Sequence, residues 1–117
     1  MIDVFSTNSL TAIEVALDGV AERQRVAAHN IANVNTPGFR SARVEFESEL
    51  ARALERGQGV RDVDADIVGA NTPINVRGND VALEQENRDL ITAGVQYEAL
   101  VNAMNHHFAL LRTAVGR

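Results

Sequence analysis

The chain has 117 residues, 45% of them hydrophobic but only 4% aromatic, which predicts one domain or one elongated unit with a thin aliphatic core. Its net charge of −5, without a clustered basic stretch, excludes an ordinary nucleic-acid binder. The lack of cysteine excludes disulfides, thiolate metal sites and cysteine nucleophiles.

The start of the chain does not resemble a cleaved secretory signal, because residues 1–10 contain no basic cluster followed by an apolar run. Farther along, no stretch reaches the roughly 18 consecutive apolar residues that predict a membrane span. We therefore expect a chain that is either cytoplasmic or exported by a route that reads no such signal.

The first predicted element is a long helix over about residues 9–34. Its apolar residues advance by alternating steps of three and four, a heptad spacing that keeps one helix edge against one partner helix for many turns. Thr11 and Glu14 have capping-box spacing near its start, and residues 33–35 supply asparagines that can close its end. The predicted N-terminal assembly seam consists of Leu10, Ile13, Leu17, Val20, Gln24, Ala27, Ile31 and Val34.

A turn follows this helix. Pro37 disfavours a helical conformation at Thr36. Pro37 and Gly38 at the centre of four residues predict a type II turn, because glycine accepts the positive φ that this turn requires. We predict that the chain stops being helical and changes direction here.

The middle of the chain, about residues 35–80, is predicted to be rich in loops. Residues 43–56 are dominated by Glu, Ala, Leu and Arg and favour a short helix, although the apolar residues of their first half also fit a strand. Residues 57–69 carry glycines and aspartates and predict a loop. Residues 72–76 predict a short extended segment before a turn at residues 78–80, so at most a small β-hairpin is expected there.

The last predicted element is a helix over about residues 81–115, and the two long helices are predicted to form a coiled-coil-like pair. Gln24 and Asn87 are polar residues in the otherwise apolar heptad rows, and they either fix the helix register or mark places where water reaches the row. The predicted C-terminal assembly seam consists of Leu83, Asn87, Leu90, Gly94, Tyr97, Val101, Met104, Phe108, Leu111 and Val115.

The polar residues form no convincing catalytic or metal-binding pattern. Zinc ligands on a helix typically lie at i and i+4, but two of the three histidines are adjacent and the third lies off the seam. Three aspartates are spaced like the start of a calcium loop, but Ile67 and Pro73 occupy the positions of its glycine and its glutamate. We predict no enzyme activity, cofactor, metal or small-molecule substrate. The residues considered and rejected as ligands are His29, His106, His107, Asp62, Asp64 and Asp66.

One long motif at the end of the first helix points to a family. It reads Asn30-Ile31-Ala32-Asn33-Val34-Asn35-Thr36-Pro37-Gly38-Phe39-Arg40 and closely resembles the signature of the bacterial flagellar axial proteins, the rod and hook family. In that family this stretch ends the N-terminal helix and begins the following turn. The residues of this family turn motif are Asn30, Asn33, Asn35, Thr36, Pro37, Gly38 and Phe39.

The C-terminal half narrows the resemblance to the short, proximal members of the rod. Residues 78–86 resemble the entry to the last helix of those members, and residues 97–101 and 104–115 resemble the rest of it. The short length agrees, since distal members carry large inserted domains. The residue before Leu83 is often polar in the family. Here it is Ala82, and we expect Asp80 to cap the helix instead.

The resemblance implies a structural subunit of the proximal rod in the flagellar basal body, formed as a single elongated domain over residues 1–117. It implies export from the cytoplasm by the flagellar type III apparatus without a cleaved signal peptide, and helical assembly in the periplasm. The implied partners are copies of the chain, other rod proteins, the rod-base adaptor, the export apparatus and the membrane ring. The rod would transmit torque and enclose the export channel.

Three other hypotheses remain open from the sequence. Another short rod subunit or an adaptor at the rod base stays within the family. A cytoplasmic helical interaction or chaperone module explains the heptads and the acidity, but not the turn motif. A small metal-dependent hydrolase would need the histidines and aspartates whose spacing is unfavourable.

Overall fold

A computed structural model of the chain describes residues 7–116. In chain order it contains α1 (Thr7–Ala32), β1 (Ala42–Glu45), α2 (Glu47–Arg56), a 3₁₀ turn (Val60–Asp62), β2 (Asp66–Gly69) and α3 (Leu83–Val115). The predicted fold class is confirmed: two long terminal helices enclose a middle region with a short helix and two antiparallel strands. Residues 1–6, which bear on the expectation about a secretory signal, lie outside the described residues.

The molecule is a short rod. Its principal extents are 62 × 26 × 18 Å and its radius of gyration is 17.6 Å, compared with about 13 Å for a compact domain of this length. The two long helices are antiparallel. Asn30 near the end of α1 donates to Glu86 near the start of α3, and Gln24 lies beside Gly94 farther along the pair.

The middle region folds back along α1 and forms the core with it. Gly19 is essential to this packing, because a Cβ atom there would lie 2.5 Å from the ring of Phe46. The glycine therefore lets an aromatic ring rest directly on the backbone of α1. The buried core residues are Val20, Val26, Val44, Phe46, Leu50, Ala53, Val60, Val63 and Ala93.

The helix bounds differ from the predicted ones by about two residues at three of four ends. The predicted capping box is wrong, since Thr11 lies buried inside α1 and its Oγ1 accepts a hydrogen bond from Arg61 Nη2 at 3.3 Å. Thr11 is thus used to bind the middle region. At the other end, the predicted closure by asparagine agrees with the structure, since Asn33 Nδ2 donates to the carbonyl of His29 at 2.9 Å.

The two strands lie where the sequence favoured a helix start and a loop. Residues 42–45 pair antiparallel with residues 66–69, with Val44 opposite Ile67. Val44 and Phe46 both enter the core, so the alternating pattern outweighs the local helical composition until α2 begins at Glu47. The hairpin expected at residues 72–80 is absent from the described structure, in which that segment is a hydrogen-bonded loop.

The start of α3 also differs from the prediction. Asp80 does not cap the helix, because its Oδ1 accepts a hydrogen bond from the backbone N–H of Ser41 at 2.5 Å. The N-cap residue is Ala82, which provides no side-chain hydrogen bond. Asp80 therefore ties the start of α3 to the strand that follows the first turn.

Candidate functional site

The family turn motif forms the turn that was predicted for it. The N–H of Phe39 donates to the carbonyl of Thr36 at 3.2 Å, and Gly38 has a φ of +79°, as a type II turn requires. The ring of Phe39 makes an edge contact with His29, with centroids 5.5 Å apart. The turn is therefore packed against the last turn of α1.

Asn30 is the member of the motif that connects the elements. Its buried amide pairs with both backbone groups of Ala42, donating to the carbonyl at 2.8 Å and accepting from the N–H at 3.1 Å. The same Nδ2 donates to Glu86 Oε2 at 3.1 Å. One side chain thus joins α1, β1 and α3, which explains why a shorter or purely apolar residue would not serve here.

Glu86 is a buried carboxyl group beside this junction. Burial raises its pKa, and the nearby carboxylates of Asp89 and Asp80 raise it further, whereas the hydrogen bond from Asn30 lowers it. The junction between the two long helices therefore holds a carboxyl group that resists ionisation.

The side chain of Asn79 holds this end of the molecule together. The sequence predicted only that Asn79 lies in a turn. Its side chain is fully buried, and Nδ2 donates to the carbonyls of Val34 at 2.8 Å and Thr36 at 3.1 Å. Its Oδ1 accepts from the N–H of Val81 at 3.0 Å. The only sequence signal for Asn79 was its place in residues 78–86, which resemble the family. That signal could not reveal these contacts, because they join residues more than 40 positions apart.

The N-terminal assembly seam is covered within the chain itself. Val20 and Ala27 are buried, and none of the other six residues is exposed. α1 is in contact with α3 and with the strand, short helix and 3₁₀ turn of the middle region, which together provide this cover. The half-buried members are Leu10, Ile13, Leu17, Gln24, Ile31 and Val34.

The C-terminal assembly seam is only partly covered. The row that faces α1 and the core includes Glu86, Ala93 and Leu100, so α3 is rotated about its axis relative to the predicted row. Small Ala93 allows close approach of the helices, and Leu100 reaches the core. The half-buried seam residues are Leu90, Gly94, Val101, Met104 and Leu111, and the exposed ones are Leu83, Asn87, Tyr97, Phe108 and Val115.

This rotation leaves an apolar strip uncovered on α3. Ile91 and Val95, at i and i+4 on one helix face, have exposed fractions of 69% and 64%. An exposed apolar surface of this kind commonly marks a protein interface. We call the surface around Ile91 and Val95 the outer surface of α3. The other exposed large apolar residues of this helix lie on the predicted seam, about 80–160° away around the helix axis; they are Leu83, Tyr97, Phe108 and Val115.

One ion pair fastens the middle region to α1. Arg23 binds the carboxylate of Glu47 with two hydrogen bonds, of 2.6 and 2.8 Å, and donates to the carbonyl of Val44 at 2.7 Å. Its guanidinium lies 5.1 Å from the centroid of Phe46. The hydrogen bonds from Arg23 lower the pKa of Glu47.

No group of three metal-ligating side chains comes together within residues 7–116. In the same described part of the chain, no helix combines the length and apolar character needed to cross a membrane.

Comparison with known proteins gives a consistent result. The family model for the flagella basal body rod protein matches residues 7–40. The chain is 33% identical over 113 residues to the flagellar basal body rod protein FlgB of Borrelia hermsii, covering 79% of this chain and 84% of the relative. It is 26% identical to FlgB of Bacillus subtilis, covering 93% of this chain and 94% of that protein. It is 27% identical to FlgB of Escherichia coli, covering 77% and 80% of the two chains.

Proposed function

Because the chain belongs to the flagellar basal body rod protein family, we propose that it is built into the rod through its terminal helices, with the outer surface of α3 packed against neighbouring subunits. It is a structural subunit of the flagellar proximal rod. The proposed mechanism is mechanical and contains no chemical step. Torque passes through many interlocked side chains, each of which contributes little, and the assembled helices enclose the export channel.

The observation that carries this proposal is the unequal covering of the two long helices. The seam of α1 is covered by the chain's own residues, whereas Ile91 and Val95 on α3 are mostly exposed. An exposed apolar strip is a liability for a free subunit and becomes favourable once neighbours cover it.

The family locates the chain in the flagellar basal body, among other basal body components. Within that setting we propose copies of the chain, other rod proteins and the rod-base adaptor as direct neighbours. We also propose export through the flagellar type III apparatus without a cleaved signal peptide, followed by assembly in the periplasm above the membrane ring.

The test is the amount of the chain in basal bodies purified from its own host. Ile91→Glu places a charge in the outer surface of α3, and burying that charge in an interface is costly. We expect this variant to be strongly depleted from basal bodies and to abolish swimming. Leu54→Glu is the matched control, because Leu54 is also partly exposed but lies on α2.

The outcome that would contradict the proposal is normal incorporation and swimming of the Ile91→Glu variant. Absence of the unmodified chain from basal bodies would contradict its role in the rod altogether. Circular dichroism of the purified variant should match that of the unmodified chain, since Ile91 contributes little to the core.

A further inference from the structure

The loop over residues 74–78 combines a fixed backbone with outward-facing apolar side chains. Asn75 holds it in place: its N–H donates to the carbonyl of Asn79 at 2.7 Å, and its Nδ2 donates to the carbonyl of Val81 at 2.9 Å. Despite this ordering, Val76 is fully exposed and Ile74 is mostly exposed. A rigid loop that presents two β-branched apolar residues to solvent is suited to docking, because little conformational entropy is lost on binding.

Two arginines flank these apolar residues. The N–H of Gly38 donates to the carbonyl of Gly78 at 3.0 Å and so joins the loop to the family turn motif. Arg40 and Arg77, on the two joined segments, are exposed, and neither takes part in an ion pair within residues 7–116. We call Arg40, Ile74, Val76 and Arg77 the tip.

A groove with complementary properties runs beside α1. It has a volume of about 560 Å³ and is lined by apolar Val15, Val63 and Ala65. Arg61 is its only basic lining residue. Its acidic lining residues are Glu14, Asp18, Glu22 and Asp64. Glu14 and Glu22 are already paired with Arg61 and Arg25, which leaves Asp18 and Asp64 to receive an incoming arginine.

A second, larger groove of about 960 Å³ lies between β1 and α3. Seven carboxylates and three arginines line it, and each arginine is paired with a glutamate beside it. The arginines are Arg23, Arg43 and Arg52. This groove is therefore the alternative site for the tip, and the experiment below separates the two.

We propose that the tip of one subunit docks into the groove beside α1 of a second copy of the chain, with Ile74 and Val76 on its apolar lining and the two arginines against its carboxylates. This inference rests on the proposed function and specifies one contact of the assembly. Tip and groove are different surfaces of the same molecule, so the contact is head-to-tail and builds an open helical array. Asp18 lies 14 residues before the end of α1, so parallel copies are displaced along the rod by at least about 20 Å.

The test is a charge exchange between tip and groove in host cells. Arg77→Glu and Asp18→Arg each place like charges against each other across the contact, and each should lower the amount of the chain in purified basal bodies by roughly tenfold. The double variant restores opposite charges and should recover most of the loss. Arg56→Glu is the control for charge alone, because Arg56 is exposed at the end of α2 and lines neither groove.

Cross-linking provides an independent measurement, since the chain contains no cysteine. Cells that express Val76→Cys and Ala65→Cys on separate copies should yield a disulfide-linked dimer in basal bodies. Cells that express Val76→Cys alone should yield much less. The Val76→Cys variant should keep the circular dichroism spectrum of the unmodified chain, since Val76 is fully exposed.

Several results would overturn the proposal. One is normal incorporation of both charge-reversal variants, and another is rescue of Arg77→Glu by Asp89→Arg, which would move the contact to the larger groove. A third is cross-linking of Val76→Cys to a different rod protein with no dimer formed. In each of these the chain is still present in basal bodies, so the tip contact fails while the rod function stands. Absence of the unmodified chain from basal bodies would remove both.

Discussion

The two long helices use the same heptad spacing but have different surroundings. α1 is contacted by α3 and also by β1, α2 and the 3₁₀ turn. α3 has extensive contacts only with α1 among the elements of residues 7–116. A heptad row by itself therefore does not reveal whether the residues that cover it belong to the same chain or to a neighbour. Here the middle region packs on α1 and leaves part of α3 exposed, so its position determines which row the chain itself covers.

The largest expected effect is on the covered side of α1. Phe46→Ala removes the ring that rests on Gly19 and should lower the free energy of unfolding by about 3–5 kcal/mol, as for other buried phenylalanines. Urea unfolding followed by circular dichroism measures it. If the middle region did not pack on α1 as described, the loss would be under about 0.5 kcal/mol, the value typical of a surface position.

The second effect concerns the end where α1 and α3 are joined. Asn79→Ala leaves the partly buried carbonyls of Val34 and Thr36 without their donor, and should cost about 1–3 kcal/mol of unfolding free energy. Asn102→Ala, at an exposed position of α3, is the matched control and should change it little. Equal stabilities of the two variants would show that the network at Asn79 does not hold the helices together.

A smaller effect should appear as a pH dependence at the junction. The pKa of Glu86 is raised in the folded chain, so folding favours the protonated form. The stabilising contribution is complete below the ordinary value of 4.5 and is lost as the pH rises through the raised pKa. Glu86→Gln should therefore be more stable than the unmodified chain near neutral pH, with a weaker pH dependence in this range. A variant less stable at neutral pH would contradict the assignment.

The smallest effect should come from the ion pair on the outside of the core. The pKa of Glu47 is lowered by Arg23, so its contribution is present above the ordinary value of 4.5 and is lost as the pH falls through the lowered pKa. Since Glu47 is largely exposed, Glu47→Gln should cost less than about 1 kcal/mol near neutral pH. Chemical denaturation at neutral and acidic pH measures it, and a difference that grew on acidification would be the opposite of the expected sign.

Patterns in the local sequence predicted the two long helices and the turn that follows the first one. The heptad rows have a period that only a helix satisfies over so many residues, and Pro37 with Gly38 defines its turn through backbone geometry alone. The class of fold followed from these features, whereas the family followed from the resemblance of residues 30–40 to the rod and hook signature.

Contacts between distant residues were not predictable in the same way. β1 forms because Val44 and Phe46 find the core beside α1, and its partner strand is more than 20 residues away. The role of Asn79 depends on carbonyls at the far end of α1. The orientation of α3 depends on Ala93 and Leu100 meeting the core, which a single heptad row cannot specify, because neighbouring rows share several residues.

In the proposed rod, neighbouring subunits cover the outer surface of α3. This cover can be measured as the rate at which a thiol reagent labels Val95→Cys in the isolated chain and in purified basal bodies, with Ala51→Cys on α2 for comparison. We expect rapid labelling of both positions in the isolated chain and strong protection of Val95→Cys alone in basal bodies. Equal labelling of Val95→Cys in the two states would contradict this proposal.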